Sequence, residues 1–345
     1  MIEPVGGGCN LNCIYCYQEP VRNRIQIMPF HILEKITPDN IALRDRVKFL
    51  WHGGEPLLAG IDFFKKAVEL QKRFNQKGIK IINSIQTNAT LIDRKLAWFF
   101  AENDFRVGTS LDGSSDLHNI SRSNSFEKAL QGIRYIQESG KDVGIVITVN
   151  KYNVDFPERI WEEIIEHKKI ATSFEVNICS STELSDFVPD TEKATIFLMQ
   201  LFDLWIEKDD SSIYIKTFRV LLRYLMGGNA GDCAFEYSKC NQFAAIDEKG
   251  DVYVCNRFMK RDIAHLGNIL NQNLRDIISS DKAKNLYHKI ASIKKECREC
   301  EWLMCCGGGC AFQRWVHTGR FDAGFPECEL RKNLFSYIKD RIARL

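Results

Sequence analysis

No stretch of this chain approaches the roughly 18 consecutive apolar residues that a membrane-spanning helix needs. The first ten residues, MIEPVGGGCN, carry neither a basic segment nor an apolar one, so no export signal is read there and a cytoplasmic location is expected. Charge of one sign is equally scarce. The 47 Lys and Arg against 45 Asp and Glu leave a net of +2, too weak a field to point to nucleic acid or an anionic membrane. Only 8 prolines and no low-complexity tract interrupt 345 residues that are 45% apolar and 27% charged, which excludes a largely disordered chain. Partners must be inferred from local sites instead, and the residue type in excess marks where those lie: 13 cysteines. An odd number of thiols in a chain without an export signal favours metal or redox chemistry over a disulfide framework.

Short runs rich in β-branched and aromatic residues at 47–52, 79–86, 105–111, 142–149 and 173–178 read as strands buried on both faces. Between them, 62–76, 93–103 and 125–139 place apolar residues three and four apart, as covering helices do. Such strand-helix units, from just after Cys16 to about residue 208, predict an α/β fold. Its parallel sheet would be open or closed into a partial barrel, with its site at the carboxyl ends of the strands. The helix 190–210 closes this half, residues 211–232 read as a linker, and 233–345 changes character. There cysteines take over from apolar periodicity, which fits a small metal-organised domain.

At the front, GGGCNLNCIYCY (6–17) sets Cys9, Cys13 and Cys16 within eight residues. Structural zinc takes four ligands and a redox pair takes two. Three thiolates suit a 4Fe-4S cluster with one iron left open to a small molecule. Further on, WHGGEP (51–56) follows the strand at 47–52, and SIQTNAT (84–90) and TSLDG (109–113) lie at later strand ends. Glycines there let backbone approach a ligand closely, and a carboxylate can pair with an ammonium group.

Cys-x3-Cys-x-aromatic-Cys followed by a Gly-Gly-Glu turn resembles the radical S-adenosylmethionine (SAM) superfamily. The resemblance implies a partial (β/α)6 TIM barrel. It assigns Cys9, Cys13 and Cys16 to the cluster, and Tyr15, Gly53, Gly54 and Glu55 to SAM. Ser110 and Asp112 become ribose-side contacts, and Arg122 either reaches the SAM carboxylate or lies in solvent.

In the carboxyl half, Cys240-x9-Gly250-x4-Cys255 precedes Cys297-x2-Cys300-x5-Cys306-x3-Cys310-x17-Cys328. Residues 243–255 alternate around a Gly-containing turn, and that hairpin would bring Cys240 and Cys255 together. With Cys233 the thiols number eight, enough for two four-cysteine sets, although spacing alone permits several pairings. This spacing resembles the SPASM domain of radical SAM enzymes that modify peptides. The resemblance implies one cluster on Cys233, Cys240, Cys255 and Cys310 and another on Cys297, Cys300, Cys306 and Cys328, hence three 4Fe-4S clusters in all. Cys179 and Cys305 are left as small buried apolar residues.

Residues 49–93 look especially like anaerobic sulfatase-maturing enzymes, which oxidise a cysteine or serine to formylglycine. Those maturases carry an aspartate, the proposed base, where this chain has Asn256, and an amide has no basic site near neutral pH. His52 is a candidate replacement, or merely packs at the barrel mouth. The expected function is therefore cross-linking of a ribosomally made peptide through a cyclophane or thioether, with Asn256 and Arg257 positioning the substrate. Sulfatase maturation is the alternative, and a zinc-binding scaffold the alternative outside catalysis. Expected partners are a peptide or protein substrate and an electron donor such as flavodoxin or ferredoxin.

Overall fold

The structure, a computed structural model, describes residues 1–18, 25–180, 186–228, 233–236 and 239–344. Five parallel strands form the main sheet in chain order: β1 (Arg46–Trp51), β2 (Lys80–Gln86), β3 (Arg106–Ser110), β4 (Val143–Val149) and β5 (Ala171–Ile178). The register pairs Trp51 with Ile85, Gln86 with Gly108 and Ser110 with Val146, so the carboxyl ends of the strands finish at a common rim.

The expected six-strand barrel starts earlier than the sequence pattern indicates. Its first strand position lies before Cys9, not after Cys16, and is reduced to a single residue: Ile2 bridges Trp51 in parallel fashion. Three residues are too few to show any periodicity. At the opposite edge Ile215 makes one parallel bridge to Phe174.

Helices α1 (Phe30–Ile41), α2 (Ile61–Phe74), α3 (Arg94–Glu102), α4 (Ser115–Ser121), α5 (Phe126–Glu138), α6 (Pro157–His167) and α7 (Thr191–Lys208) follow in chain order. α2 buries Phe63, Phe64, Ala67, Val68 and Leu70, the set its three- and four-residue spacing predicts. These residues meet Trp51, whose fully buried ring packs edge-on against both Phe63 and Phe64 at 5.9 and 5.7 Å between centroids. Inside the span 211–232, read from sequence as a linker, Lys216–Leu225 forms helix α8 and buries Phe218, Val220 and Leu221. The tail of that span, 229–232, lies outside the described residues.

The carboxyl half carries a three-stranded antiparallel sheet of β6 (Ala245–Ile246), β7 (Asp251–Tyr253) and β8 (His265–Asn268). Its first turn is the predicted one: Asp247 Oδ1 accepts from the amides of Lys249 and Asp251, and Gly250 takes a φ of 84°. Short helices follow: α9 (Leu274–Ser279), α10 (Asp281–Ala291), α11 (Lys295–Arg298), α12 (Leu303–Cys306) and α13 (Ala311–Thr318), then the longer α14 (Cys328–Ile342). α14 returns to the barrel, where Arg341 pairs with Asp203 and Glu207 of α7 at 3.0 and 2.8 Å.

The two sheets are joined through the amino-terminal segment. Ile2 N–H donates to Leu50 and His52 N–H to Ile2 on one side, while Glu3 N–H donates to Ile246 and Ile246 N–H to Met1 on the other, all between 2.8 and 3.0 Å. Among the described residues no helix is long and apolar enough to cross a membrane.

Truncating the core aromatic leaves a cavity that the surrounding rings cannot close. Trp51→Ala is expected to cost about 3–5 kcal/mol in denaturant unfolding of the metal-free protein. By contrast Trp98→Ala, at a ring 53% exposed, stays within about 0.5 kcal/mol of wild type.

Candidate iron-sulfur and cofactor site

The loop of Cys9, Cys13 and Cys16 leans on the Gly-Gly-Glu turn through backbone bonds. Gly54 N–H donates to Gly6 at 2.9 Å and Glu55 N–H to Gly8 at 2.7 Å. A Cβ on Gly54 would lie 2.0 Å from the Gly8 carbonyl oxygen, so only glycine allows this approach. The far side of the loop is held by α4 and the residues after it, with Ile14 N–H on the Ser121 carbonyl and Asn12 N–H on Ser123 Oγ. Burial, reinforced by Glu55, Cys13 and Cys16, pushes the Cys9 thiol up to about 11. Metal binding at this loop must therefore expel a tightly held proton.

Glu55 is fully buried, and both its oxygens are occupied within the chain. Oε1 accepts from Leu57 N–H and Thr87 Oγ, and Oε2 from Asn88 N–H at 2.7 Å. Burial raises its pKa to about 7 against the pull of these donors. The carboxylate thus ties the turn to the SIQTNAT segment. Ser110 sits at the end of β3, its hydroxyl accepting weakly from Gln86 Nε2 at 3.5 Å.

The expected ribose contact Asp112 has no exposed surface. Its Oδ2 accepts from Arg122 Nε at 2.9 Å and from the Tyr15 hydroxyl, while Oδ1 accepts from Thr148 N–H. Arg122 also donates to Tyr15 Oη at 2.6 Å and is 11% exposed, so the solvent reading of this arginine does not hold. Tyr15, Asp112 and Arg122 form one buried knot that fixes the cysteine loop to the ends of β3 and β4. Beneath it, His118 Nδ1 accepts from Asp112 N–H and Nε2 meets Ser125 Oγ.

His52 cannot act as the sought base. Its Nδ1 accepts from Gly53 N–H at 2.8 Å, so the neutral ring keeps its proton on Nε2 and presents a donor. Burial, then the N-terminal ammonium and the Arg257 charge, lowers its pKa to about 4. Asn256 Nδ2 donates to the Tyr17 hydroxyl at 3.0 Å, and Arg257 Nη1 to Cys310 Sγ at 3.7 Å. Burial, then the Glu3 carboxyl, holds Tyr17 well above the phenol range, so it stays neutral. Glu3 itself is buried, accepts from Gln18 Nε2 at 3.1 Å and is held far above the carboxylate range by burial and Asp247. Nothing in the sequence pattern distinguished Tyr17, Gln18 or Glu3, because their partners are distant in the chain.

The rear thiols fall into two sets. Cys240, pushed up to about 12 by burial, feels Cys310, Cys255 and Cys233; Cys297 is raised by burial and feels Cys306 and Cys300; Cys328, also raised by burial, feels Cys306 and Cys297. Cys297, Cys300, Cys306 and Cys328 line one apolar cavity together with Arg331. The chain passes from Cys306 to Cys310 through Gly307, Gly308 and Gly309, all at positive φ, and a Cβ on Gly309 would lie 2.1 Å from the Phe325 ring. This run of left-handed residues lets one strand of backbone serve both sets. Cys179 and Cys305 are buried, as expected of leftover thiols.

The donor sets fit iron-sulfur clusters. Thiols surround an apolar cavity, and the buried Arg314 beside both sets has an Nε without a partner, a cation in need of anionic company. A barrel rim with a three-thiol loop, followed by a domain whose thiols neighbour one another in two groups, suits a protein that carries iron-sulfur clusters.

Residues 4–162 match the Radical SAM superfamily and residues 238–301 the SPASM iron-sulfur cluster-binding domain. The serine-type anaerobic sulfatase-maturating enzyme of Bacteroides thetaiotaomicron is 32% identical over 98% of this chain and 88% of its own. The cysteine-type enzyme of Clostridium perfringens is 28% identical over 99% and 96%. The solved structure of anSMEcpe with bound AdoMet superposes with a TM-score of 0.90 at 28% identity, covering 99% of this chain and 97% of the other. Streptococcus suis SuiB, at 19% identity and a TM-score of 0.69, shares the fold. The chain belongs to the radical SAM superfamily and, within it, to the SPASM-bearing family that includes the anaerobic sulfatase-maturating enzymes. It is an enzyme, which sets aside the zinc scaffold.

His118 supplies a pH test of the knot beneath the loop. Burial lowers its folded pKa to about 4, whereas the unfolded imidazole titrates near 6.5. The unfolded chain therefore binds the extra proton first, and stability present above pH 6.5 is lost as pH falls toward 4. The loss amounts to about 3 kcal/mol from this residue. Unfolding midpoints of the metal-free protein and of His118→Asn, measured between pH 7 and pH 4, should converge as the pH drops.

Proposed function

We propose that this protein oxidises a cysteine side chain of a peptide segment to an aldehyde, as a maturase of sulfatase type, in preference to the peptide cross-linking expected from its sequence. The observation that carries the reading is the likeness over the whole chain to anSMEcpe, whose structure has also been solved with AdoMet and the Cp18Cys peptide bound. Cys9, Cys13 and Cys16 hold the SAM-binding cluster, with Gly53 and Gly54 giving SAM its backbone approach. The two rear thiol sets hold the auxiliary clusters. With SAM bound, the front cluster would supply the electron that splits SAM into methionine and a carbon radical able to take a hydrogen atom from the substrate's Cβ; an auxiliary cluster would take up the second electron, and water would replace the sulfur, which leaves as sulfide, to give the aldehyde.

What remains for this chain's own residues is the proton on the substrate heteroatom. His52 offers a donor, Asn256 an amide and Tyr17 a neutral phenol, so the wall beside Arg257 supplies no strong base. A thiol, with an ordinary pKa near 8.5, gives up its proton without one; an aliphatic hydroxyl does not. The local chemistry thus favours cysteine over serine, even though serine-type and cysteine-type relatives are similar to this chain in nearly equal measure. Glu55, Asp112 and Arg122 act by holding the loops in place, and Asn256 and Arg257 position the peptide. The electron donor is a small reducing protein such as flavodoxin or ferredoxin, and the peptide enters extended across the barrel rim.

The same lack of a base also favours the cross-linking reading, which needs no deprotonated heteroatom when carbon joins carbon. Offered Cys-x-Pro-x-Arg and Ser-x-Pro-x-Arg peptides anaerobically with SAM and dithionite, the enzyme should form a hydrazide-reactive aldehyde from the first. The second should react roughly 10²-fold more slowly, the usual worth of a general base, and Asn256→Asp should raise its rate. Equal rates on both peptides would refute the role given to Asn256, and a new cross-link without aldehyde would establish the other reaction. Replacing Cys9, Cys13 and Cys16 by alanine should abolish SAM cleavage while leaving iron in the carboxyl half, measured by metal analysis.

A further inference from the structure

Two arginines in the carboxyl half are buried between the two rear thiol sets. Arg314 projects from α13, is 3% exposed, and donates from Nη1 to Gly308 O at 3.2 Å and from Nη2 to Ile290 O at 2.9 Å. Its Nε has no partner. The thiols that act on it electrostatically belong to both sets, Cys310 and Cys240 from one and Cys297 and Cys306 from the other. Arg331 projects from α14 with its guanidinium between the rings of Phe235 and Phe325, 4.6 and 4.4 Å from their centroids. Its Nη1 donates to Ala234 O at 2.7 Å, to Cys306 O at 3.2 Å and toward Cys306 Sγ at 3.7 Å. Ala234 directly follows Cys233, so this side chain too touches backbone of both sets.

Among the described residues neither guanidinium has a carboxylate within ion-pair distance, so two buried cations stand uncompensated by the rest of the chain. Burying an unpaired charge is costly enough that such groups are kept only where something anionic answers them. Clusters ligated by four thiolates are anionic, and each becomes more negative on reduction.

We propose that Arg314 and Arg331 form a cationic partition between the two auxiliary clusters that raises the reduction potentials of both, Arg314 acting on the two and Arg331 chiefly on the cluster of Cys297, Cys300, Cys306 and Cys328. A fixed positive charge in a low-dielectric interior stabilises the reduced form over the oxidised one, and hydrogen bonds to ligand sulfur act in the same direction. The partition makes each auxiliary cluster a better acceptor. It also means that reducing one cluster weakens the field left for the other, which couples the two. This inference rests on the assignment of eight thiols to two auxiliary clusters.

The test uses the full chain carrying Cys9→Ala, Cys13→Ala and Cys16→Ala, so that only the auxiliary clusters contribute, with midpoint potentials read by EPR in an anaerobic redox titration. Arg314→Met should shift both midpoints downward, Arg331→Met mainly one, and Arg314→Lys and Arg331→Lys, which keep the charge, should restore most of each shift. Unmoved midpoints at full iron content would overturn the partition, as would Lys variants that shift as far as the Met variants. If a Met variant loses iron, its Lys counterpart decides: potentials near wild type with iron retained support the role of charge, and potentials far below it refute that role. A parent protein with zinc in place of about eight irons would overturn the cluster assignment itself, and the partition with it.

Discussion

Three residues at the amino terminus determine how this molecule works as one piece. Ile2 is hydrogen-bonded to β1 and its flanking residues are hydrogen-bonded to β6, so a single extended segment is shared by the barrel sheet and the small antiparallel sheet. Everything downstream is placed by that sharing. The segment leads directly into Gly6–Gly8, whose carbonyls receive the Gly-Gly-Glu turn, and from there into the cysteine loop. Across the same seam, β6 brings the Cys255–Arg257 corner against the barrel, where Asn256 reaches Tyr17. The wall around Asn256 and Tyr17 is therefore built from both halves of the chain.

A second constraint is electrostatic. The metal-free chain carries thiols held protonated by burial, with Cys9 and Cys255 near 11 and Cys240 near 12, beside the buried cations Arg314 and Arg331. Each tendency is unfavourable alone: the thiols resist ionisation and the guanidiniums lack counterions. Cluster assembly removes both penalties together, since it deprotonates the thiols and places the resulting negative charge where the arginines already point. This linkage acts in a segment whose helices are mostly short.

Much of this was legible in the sequence, and the exceptions share a cause. Strands β1 to β5 fell within two residues of their predicted bounds because each is a continuous apolar run between amphipathic helices. The eleven clustered cysteines were legible because ligand spacing is a covalent property of the chain. The first strand position was missed because Ile2 earns its place through long-range hydrogen bonds rather than through any pattern. Asp112 and Arg122 were read as facing the cofactor or solvent, since a sequence cannot show that they face one another across ten residues and share Tyr15. Arg314 and Arg331 look like ordinary charged positions on polar helices; only packing reveals that they point inward.

The residues around Asn256 illustrate why a site must be judged by what surrounds it. Replacing a carboxylate by an amide removes a proton acceptor, but the neighbours decide whether another takes over. Here the imidazole has its acceptor nitrogen occupied by Gly53, the phenol of Tyr17 is neutral, and the carboxyls of Glu3, Asp247 and Glu248 are withdrawn into a buried group around Lys260. Burial, then the neighbouring Asp247 carboxyl, holds Glu3 far above the carboxylate range, so Glu3 keeps its proton. The negative charge of this region is thus stored behind the rim, while the rim itself presents donors and neutral dipoles. Such a surface offers donors to polar groups and, among the neighbours described, no ready acceptor for a proton.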